Sequence, residues 1–197
     1  MLSRLFYILV FFVASSFQSQ RPVVTKWVIA TGCSLKVDGS TNVNKFTCAI
    51  SNYNKPDTIL VTQSNRPVVQ LTGSMELDVN RFDCFNPMMT ADLRKTLKAK
   101  EFPHLVIKFI SINHYPLSTE ANTVTQGIVV IELAGISRTY SVNYRIVSAS
   151  RNFVNLVGFQ QLKFSDFKIT PPRKIGGMIK TNNDLTVVFD LKMKVIP

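Results

Sequence analysis

The residues of this chain that could do covalent or metal chemistry are few: three cysteines, two histidines and a thin scatter of carboxylates. His104 follows Pro103 and His114 precedes Tyr115-Pro116, so they fall at a strand start and in a turn. That spacing brings no carboxylate to complete a two-His metal site. HExxH, GxSxG, GxGxxG and GxxxxGK are all missing from the sequence, and Asp83, Asp92 and Glu132 read as surface or capping groups. Catalysis, a bound metal and a cofactor are therefore not expected. The cysteines hold the one covalent option, because Cys33, Cys48 and Cys84 can make one disulfide in an oxidising compartment and leave one thiol over. Cys48 and Cys84 lie in similar contexts, Phe46-Thr47-Cys48 and Phe82-Asp83-Cys84, each near the end of an alternating segment. Cys33 lies inside the first strand. The expected pair is Cys48 with Cys84, leaving Cys33 a buried thiol; Cys33 with Cys48, across a hairpin centred near Ser40 and Thr41, stays open as the alternative.

Export is expected from the first twenty residues. Arg4 precedes ten apolar residues, Leu5 to Ala14, and small and polar residues follow, with Ala14 and Ser16 placed like the −3 and −1 positions of a signal peptidase site. This reads as a signal peptide over residues 1–20, cleaved between Ser16 and Gln20, with a single domain over residues 21–197 that is periplasmic or secreted. The apolar run is too short to span a bilayer as a helix. Of 197 residues, 46% are hydrophobic, 18% are charged, and the net charge is +11, which excludes a disordered tail, an acidic solvating protein and a disulfide-dense toxin.

Period-two alternation dominates the rest. Trp27, Ile29, Cys33, Leu35 and Val37 share one parity with Thr31 the polar exception, and so do Val69, Leu71, Gly73, Met75, Leu77 and Val79. Leu105, Ile107 and Phe109 repeat the pattern, as do Tyr140, Val142, Tyr144 and Ile146, and Leu185 to Val195 in steps of two. Alternation of this kind marks antiparallel strands with one dry face. Turn signals such as Asp38-Gly39-Ser40, Asn54-Lys55-Pro56-Asp57 and Ala134-Gly135 separate them. One segment departs: Met89, Leu93 and Leu97 recur every fourth residue after Asn86-Pro87, predicting an amphipathic helix over Met88–Ala99 that ends before Pro103. A sheet of long strands with one dry face must pack on a second sheet or close on itself. The predicted fold is all-β, an antiparallel eight-stranded barrel with one short helix at an end, whose interior has room for side chains or one slender ligand.

Several segments, in order, resemble the YceI-like family: Gly39-Ser40-Thr41-Asn42-Val43-Asn44-Lys45-Phe46, Met89-Thr90-Ala91-Asp92-Leu93, and Glu101-Phe102-Pro103-His104-Leu105-Val106-Ile107-Lys108-Phe109. The Gly127–Leu133 strand before Ala134-Gly135, the Leu162–Ile169 segment, Gly176-Gly177-Met178-Ile179-Lys180 and the last strand continue the likeness, which covers roughly residues 25–195. Where many members carry Arg-Asp before the helix, this chain has Ala91-Asp92. The resemblance implies an exported, lipocalin-like barrel whose apolar cavity holds a polyisoprenoid lipid, such as the tail of an isoprenoid quinone or a prenyl phosphate, and it carries over no catalytic residues.

The inward parity supplies a wall for such a chain: Trp27, Ile29, Phe46, Met75, Leu105, Ile107, Phe109, Tyr140, Val142, Tyr144, Val187 and Phe189. Each of these taken singly reads first as plain core, which leaves a ligand-free barrel that binds a protein partner as the alternative function. The basic surplus reads as a solvated surface or as attraction to an anionic membrane surface, through Arg94, Lys95 and Lys98 or through Pro171-Pro172-Arg173-Lys174. Nucleic acid is not an expected partner, and a homodimer stays open.

Overall fold

The computed structural model describes residues 22–116 and 118–196, so the expected leader lies outside the described residues. Twelve strands and one α-helix follow in order: β1 Val23–Ile29, β2 Cys33–Ser40, β3 Lys45–Tyr53, β4 Thr58–Gln63, β5 Val69–Asp78, α1 Pro87–Thr96, β6 His104–Ile112, β7 Val124–Leu133, β8 Ile136–Ala149, β9 Phe153–Lys163, β10 Arg173–Lys174, β11 Ile179–Lys180 and β12 Asp184–Ile196. From β4 through β9 each strand pairs antiparallel with a neighbour, and β12 pairs with β9. The ring closes where β1 pairs β12, Lys26 opposite Ile196 through Ile29 opposite Met193.

β12 shares that edge between two partners, β1 near its end and β2 from Thr186 to Asp190. The sequence reads Trp27 to Val37 as one strand, and the structure breaks it at Ala30–Gly32. Gly32 takes φ +83°, a left-handed conformation that a side-chain-bearing residue resists, and the ladder cannot run through it. The Cys33 thiol fills the break, donating to the Ala30 carbonyl at 3.2 Å and accepting from the Lys192 N–H at 3.1 Å. It is buried and unbridged. β3 and β4 form the next stave, interrupted by the predicted turn at Asn54–Asp57. With both interruptions counted as single staves, the barrel has eight.

One gap remains in the wall. β4 pairs β5 only from Leu60–Thr72 to Thr62–Gln70, because at Gly73 the chains cross so closely that a Cβ would fall 2.5 Å from the Thr58 carbonyl oxygen. Beyond that crossing, β3 and the rest of β5 diverge. The Tyr53 hydroxyl spans the gap, donating to Asp57 and accepting from the Glu76 N–H at 3.3 Å. Farther along, Ala49 and Asp83 exchange backbone hydrogen bonds at 2.8 and 2.9 Å, and the Cys48–Cys84 disulfide locks the same crossing.

That crossing positions α1. The Asn86 side chain caps it by accepting from the Met89 N–H at 3.0 Å, and Pro87 occupies the first turn, where a missing N–H costs nothing. The helix ends at Thr96 rather than at the predicted Ala99, because Lys98 turns left-handed at φ +55° and the Ala99 N–H bonds the Arg94 carbonyl. Thr90 accepts from the Cys84 N–H at 2.9 Å, and Arg94 donates to the Phe82 carbonyl at 3.0 Å, so the helix lies against the segment that the disulfide anchors.

The disulfide closes a loop across 36 residues of sequence, for which chain entropy gives about 4 kcal/mol of stabilisation. Reduction, or Cys84→Ser, is expected to lower the unfolding free energy by about 2–4 kcal/mol in urea titrations. Unfolding without reductant should expose one thiol; a denaturation midpoint indifferent to reductant would show that the staple contributes nothing. A second expectation concerns three tyrosines. Burial first, then the bond to Asp57, pushes the Tyr53 phenol far above its ordinary range; burial and then Asp166 do so for Tyr140; burial alone does so for Tyr144. The folded state therefore keeps protons that the unfolded chain releases, and these groups stabilise fully below the ordinary phenol pKa. Stability should fall as pH rises past about 10, with phenolate absorbance from these three appearing only on unfolding. Phenolate signal from all tyrosines in the still-folded protein would contradict this.

Candidate functional site

Two adjoining spaces lie at the end of the barrel that α1 covers. The inner one is a cavity of about 60 Å³ whose lining is wholly apolar: Leu105, Ile107, Ile131, Val187 and Phe189 from the strands, Leu93 from α1 and Leu97 just past its end, Phe82 from the stapled segment and Phe164 from the turn after β9, among others. Phe46, Cys48, Leu93 and Phe164 also line the outer space, a groove of about 360 Å³, and so form the partition between the two.

Three segments build the groove. The β2–β3 turn contributes Thr41, Val43 and Asn44, and its shape is set by the Thr41 hydroxyl, which accepts from the N–H groups of Val43 and Asn44 and donates to the Asn44 side chain at 2.7 Å. From α1 come Met88, Met89, Asp92 and Thr96. The β10–β11 hairpin and its approach contribute Pro172, Lys174, Ile175, Ile179 and Thr181. That hairpin sits on the β2–β3 turn through Asn42, whose side chain donates to the Met178 carbonyl at 2.9 Å and accepts from the Lys180 N–H at 2.9 Å. Across the groove, Lys174 reaches Asp92 at 2.5 Å. Asp92 thus ties helix to hairpin, while Ala91, the residue that departs from the family pattern, is exposed.

The bore below is nearly full. Gly158 leaves room for the rings of its cross-strand neighbours Tyr144 and Phe189, to each of which a Cβ there would come within 2.9 Å. Beneath them a residual void of about 10 Å³ is bounded by Trp27, Phe109, Tyr144 and Met193, among others. A continuous hollow tube, the expectation from inward parity, is not what these side chains make: the free space gathers at the helix end.

Of the twelve residues expected to line a ligand channel, Phe46, Leu105, Ile107, Val187 and Phe189 border the inner cavity, and Trp27, Phe109 and Tyr144 border the deep void. Ile29, Met75 and Val142 are buried in the core and border neither. Tyr140 is half-buried beside Phe167 and donates to Asp166 at 2.9 Å, so its hydroxyl is committed to the turn after β9. Sequence reasoning missed Phe164, Met88 and Ile175, which lie on non-strand segments where parity says nothing. The one signal for this wall was the Met89, Leu93, Leu97 stripe, whose apolar face covers the cavity.

His104 and His114 stand at opposite ends of β6 and its extension, His104 by Glu76 at 3.2 Å and His114 by Glu120 at 3.4 Å. Among the described residues no three His, Cys, Asp or Glu gather where they could hold a metal ion, and no helix is long and apolar enough to cross a membrane.

No protein-family model matches the sequence, and no curated protein does. Solved structures do match the fold. BcnA of Burkholderia cenocepacia is 16% identical with a TM-score of 0.59, over 84% of this chain and 96% of that one. A polyisoprenoid-binding domain from Saccharophagus degradans, implicated in plant cell wall breakdown, is 11% identical with a TM-score of 0.57, over 88% of this chain and 100% of that one. The YceI protein of Campylobacter jejuni is 13% identical with a TM-score of 0.50, over 62% of this chain and 71% of that one. The closed barrel with its single end helix is thus the fold of the YceI-like proteins.

Proposed function

We propose that this chain is an exported, YceI-like lipid-binding protein that holds a polyisoprenoid chain, the tail of a quinone or prenyl phosphate, as a carrier or store without transforming it. The observation that carries this reading is the wholly apolar cavity beneath the groove at the helix end. The groove is within the size range of small-molecule sites, roughly 300–1,000 Å³. One five-carbon prenyl unit buried there contributes about 3–4 kcal/mol before ordering costs, at about 0.8 kcal/mol per methylene. In this arrangement most of the chain lies along Met88, Met89, Ile175 and Ile179, its leading carbons pass Phe46, Leu93 and Phe164 into the cavity, and the polar head stays by Lys174 and Asn44. The polyisoprenoid-binding domain with the same fold supports the ligand class. The disulfide fits an oxidising compartment, the periplasm or the outside of the cell.

The ring pair over Gly158 favours a second reading, a packed barrel that binds a protein partner and no lipid. Organic-solvent extraction of detergent-free protein followed by mass spectrometry separates them, since the carrier releases a prenyl chain in near-equal amount. Val187→Phe narrows the inner cavity at an overpacking cost of about 1–3 kcal/mol. It should weaken uptake of a farnesyl probe up to about 100-fold, the loss of roughly 3 kcal/mol when one unit is shut out. Protein that yields no lipid, takes up no prenyl probe and is indifferent to Val187→Phe would reject the carrier and leave the packed barrel.

A further inference from the structure

We infer that the helix end of the barrel docks on an anionic lipid bilayer, with three loop tips carrying apolar side chains into its interface. The five most exposed large apolar side chains among the described residues, Val43, Phe85, Met88, Ile175 and Met178, are 65–73% exposed. They lie on three segments that chain order separates and the fold brings to one rim: the β2–β3 turn, the start of α1 and the β10–β11 hairpin. Val43, Met88 and Ile175 line the groove itself, Phe85 precedes the capping residue Asn86, and the Met178 carbonyl is held by Asn42.

The backbone at two of these tips adds to the case. Phe85 is held at φ +56° and Ile175 at φ +51°, a conformation that is unfavourable for any side-chain-bearing residue and most unfavourable for a β-branched one. Asn or Gly would fit both positions better if a water-soluble tip were all the fold required. Nothing within the barrel is gained by presenting a phenyl ring and an isoleucine there.

Charge identifies the surface that the rim fits. Segments 41–45, 83–96 and 172–181 carry six basic residues, Lys45, Arg94, Lys95, Arg173, Lys174 and Lys180, against Asp83 and Asp92, a net +4. Asp92 is already bonded to Lys174. Apolar tips interleaved with lysine and arginine suit the boundary between acyl chains and anionic head groups, where each basic residue strengthens binding about fivefold. The docked rim would set the groove against the bilayer. The inference rests on the exposed rim and needs no lipid in the cavity, so it and the carrier reading can fail separately.

Trp27 is the chain's only tryptophan and is 1% exposed, which gives a constant background for a second one placed at the rim. In the full chain carrying Met178→Trp, vesicles of phosphatidylcholine with about a third phosphatidylglycerol should shift the added emission to the blue. Brominated acyl chains should quench it, and salt should reverse the binding. Val124→Trp, at the opposite end and 64% exposed in the parent, should show neither response. Arg173→Gln with Lys180→Gln should lower the partition coefficient about 25-fold, and Ile175→Glu with Met178→Glu at least as much. An unmoved Met178→Trp spectrum, an equal response at Val124→Trp, or a blue shift that grows with protein concentration without lipid would each overturn the inference, the last because the rim would then bind a second copy.

Discussion

Closure of the backbone hydrogen-bond ring is the constraint on which the rest of this structure depends. An eight-stave barrel leaves no free edge only if every strand finds partners on both sides, and unpaired buried N–H and C=O groups are costly. β1 and β2 divide one edge of β12 between them and meet this demand, helped by the Cys33 thiol at the break. Between β3 and the second half of β5 the demand is not met by strand pairing. There the chain substitutes the Tyr53 hydroxyl, a two-bond bridge between Ala49 and Asp83, and the Cys48–Cys84 bond. The covalent link stands where the ladder is weakest.

The same failure of pairing makes the site. Where the staves run in register, inward side chains fill most of the bore, and Gly158 lets the rings of Tyr144 and Phe189 lie over it. Above that level one side of the wall is a helix. α1 and its C-cap residue present Leu93 and Leu97 across the opening instead of an alternating strand, and an apolar space is left beneath them. Cavity, groove and access are consequences of substituting a stapled helix for a stretch of strand.

Much of this was legible in the sequence and some was not, for identifiable reasons. β5, β8 and β12 have mostly polar outer faces, so alternation marks them plainly. β7 runs Ile128-Val129-Val130-Ile131 and β9 places Val157 and Phe159 on its outer face, which blurs the period that reveals a strand. The helix showed in its fourth-residue repeat, and the cysteine pairing in the matched contexts of Cys48 and Cys84. Parity names the inward residues, yet it names them identically at every level of the barrel. Whether a level is hollow depends on how rings from neighbouring strands pack, as Tyr144 of β8 and Phe189 of β12 do on either side of Gly158 of β9, and that is a property of three strands at once. The β10–β11 hairpin and the turn at Phe164 carry no periodic signal, so parity is silent on the outer wall of the groove.

The two walls of that groove are held by very different forces. On the helix side stand a disulfide, a capped N-terminus and the bonds from Cys84 to Thr90 and from Arg94 to Phe82. On the hairpin side stand the bonds to Asn42, most of them open to solvent, and the Lys174–Asp92 pair, whose side chains are 45% and 29% exposed. An ion pair so placed contributes at most about 1 kcal/mol and weakens with salt, whereas loss of the disulfide costs several times that. The helix is accordingly the fixed wall and the hairpin the yielding one. Any enlargement of the groove costs least on the side of Arg173 to Lys180, where the left-handed residues Ile175, Gly176 and Gly177 follow one another and the basic charge of the rim is densest.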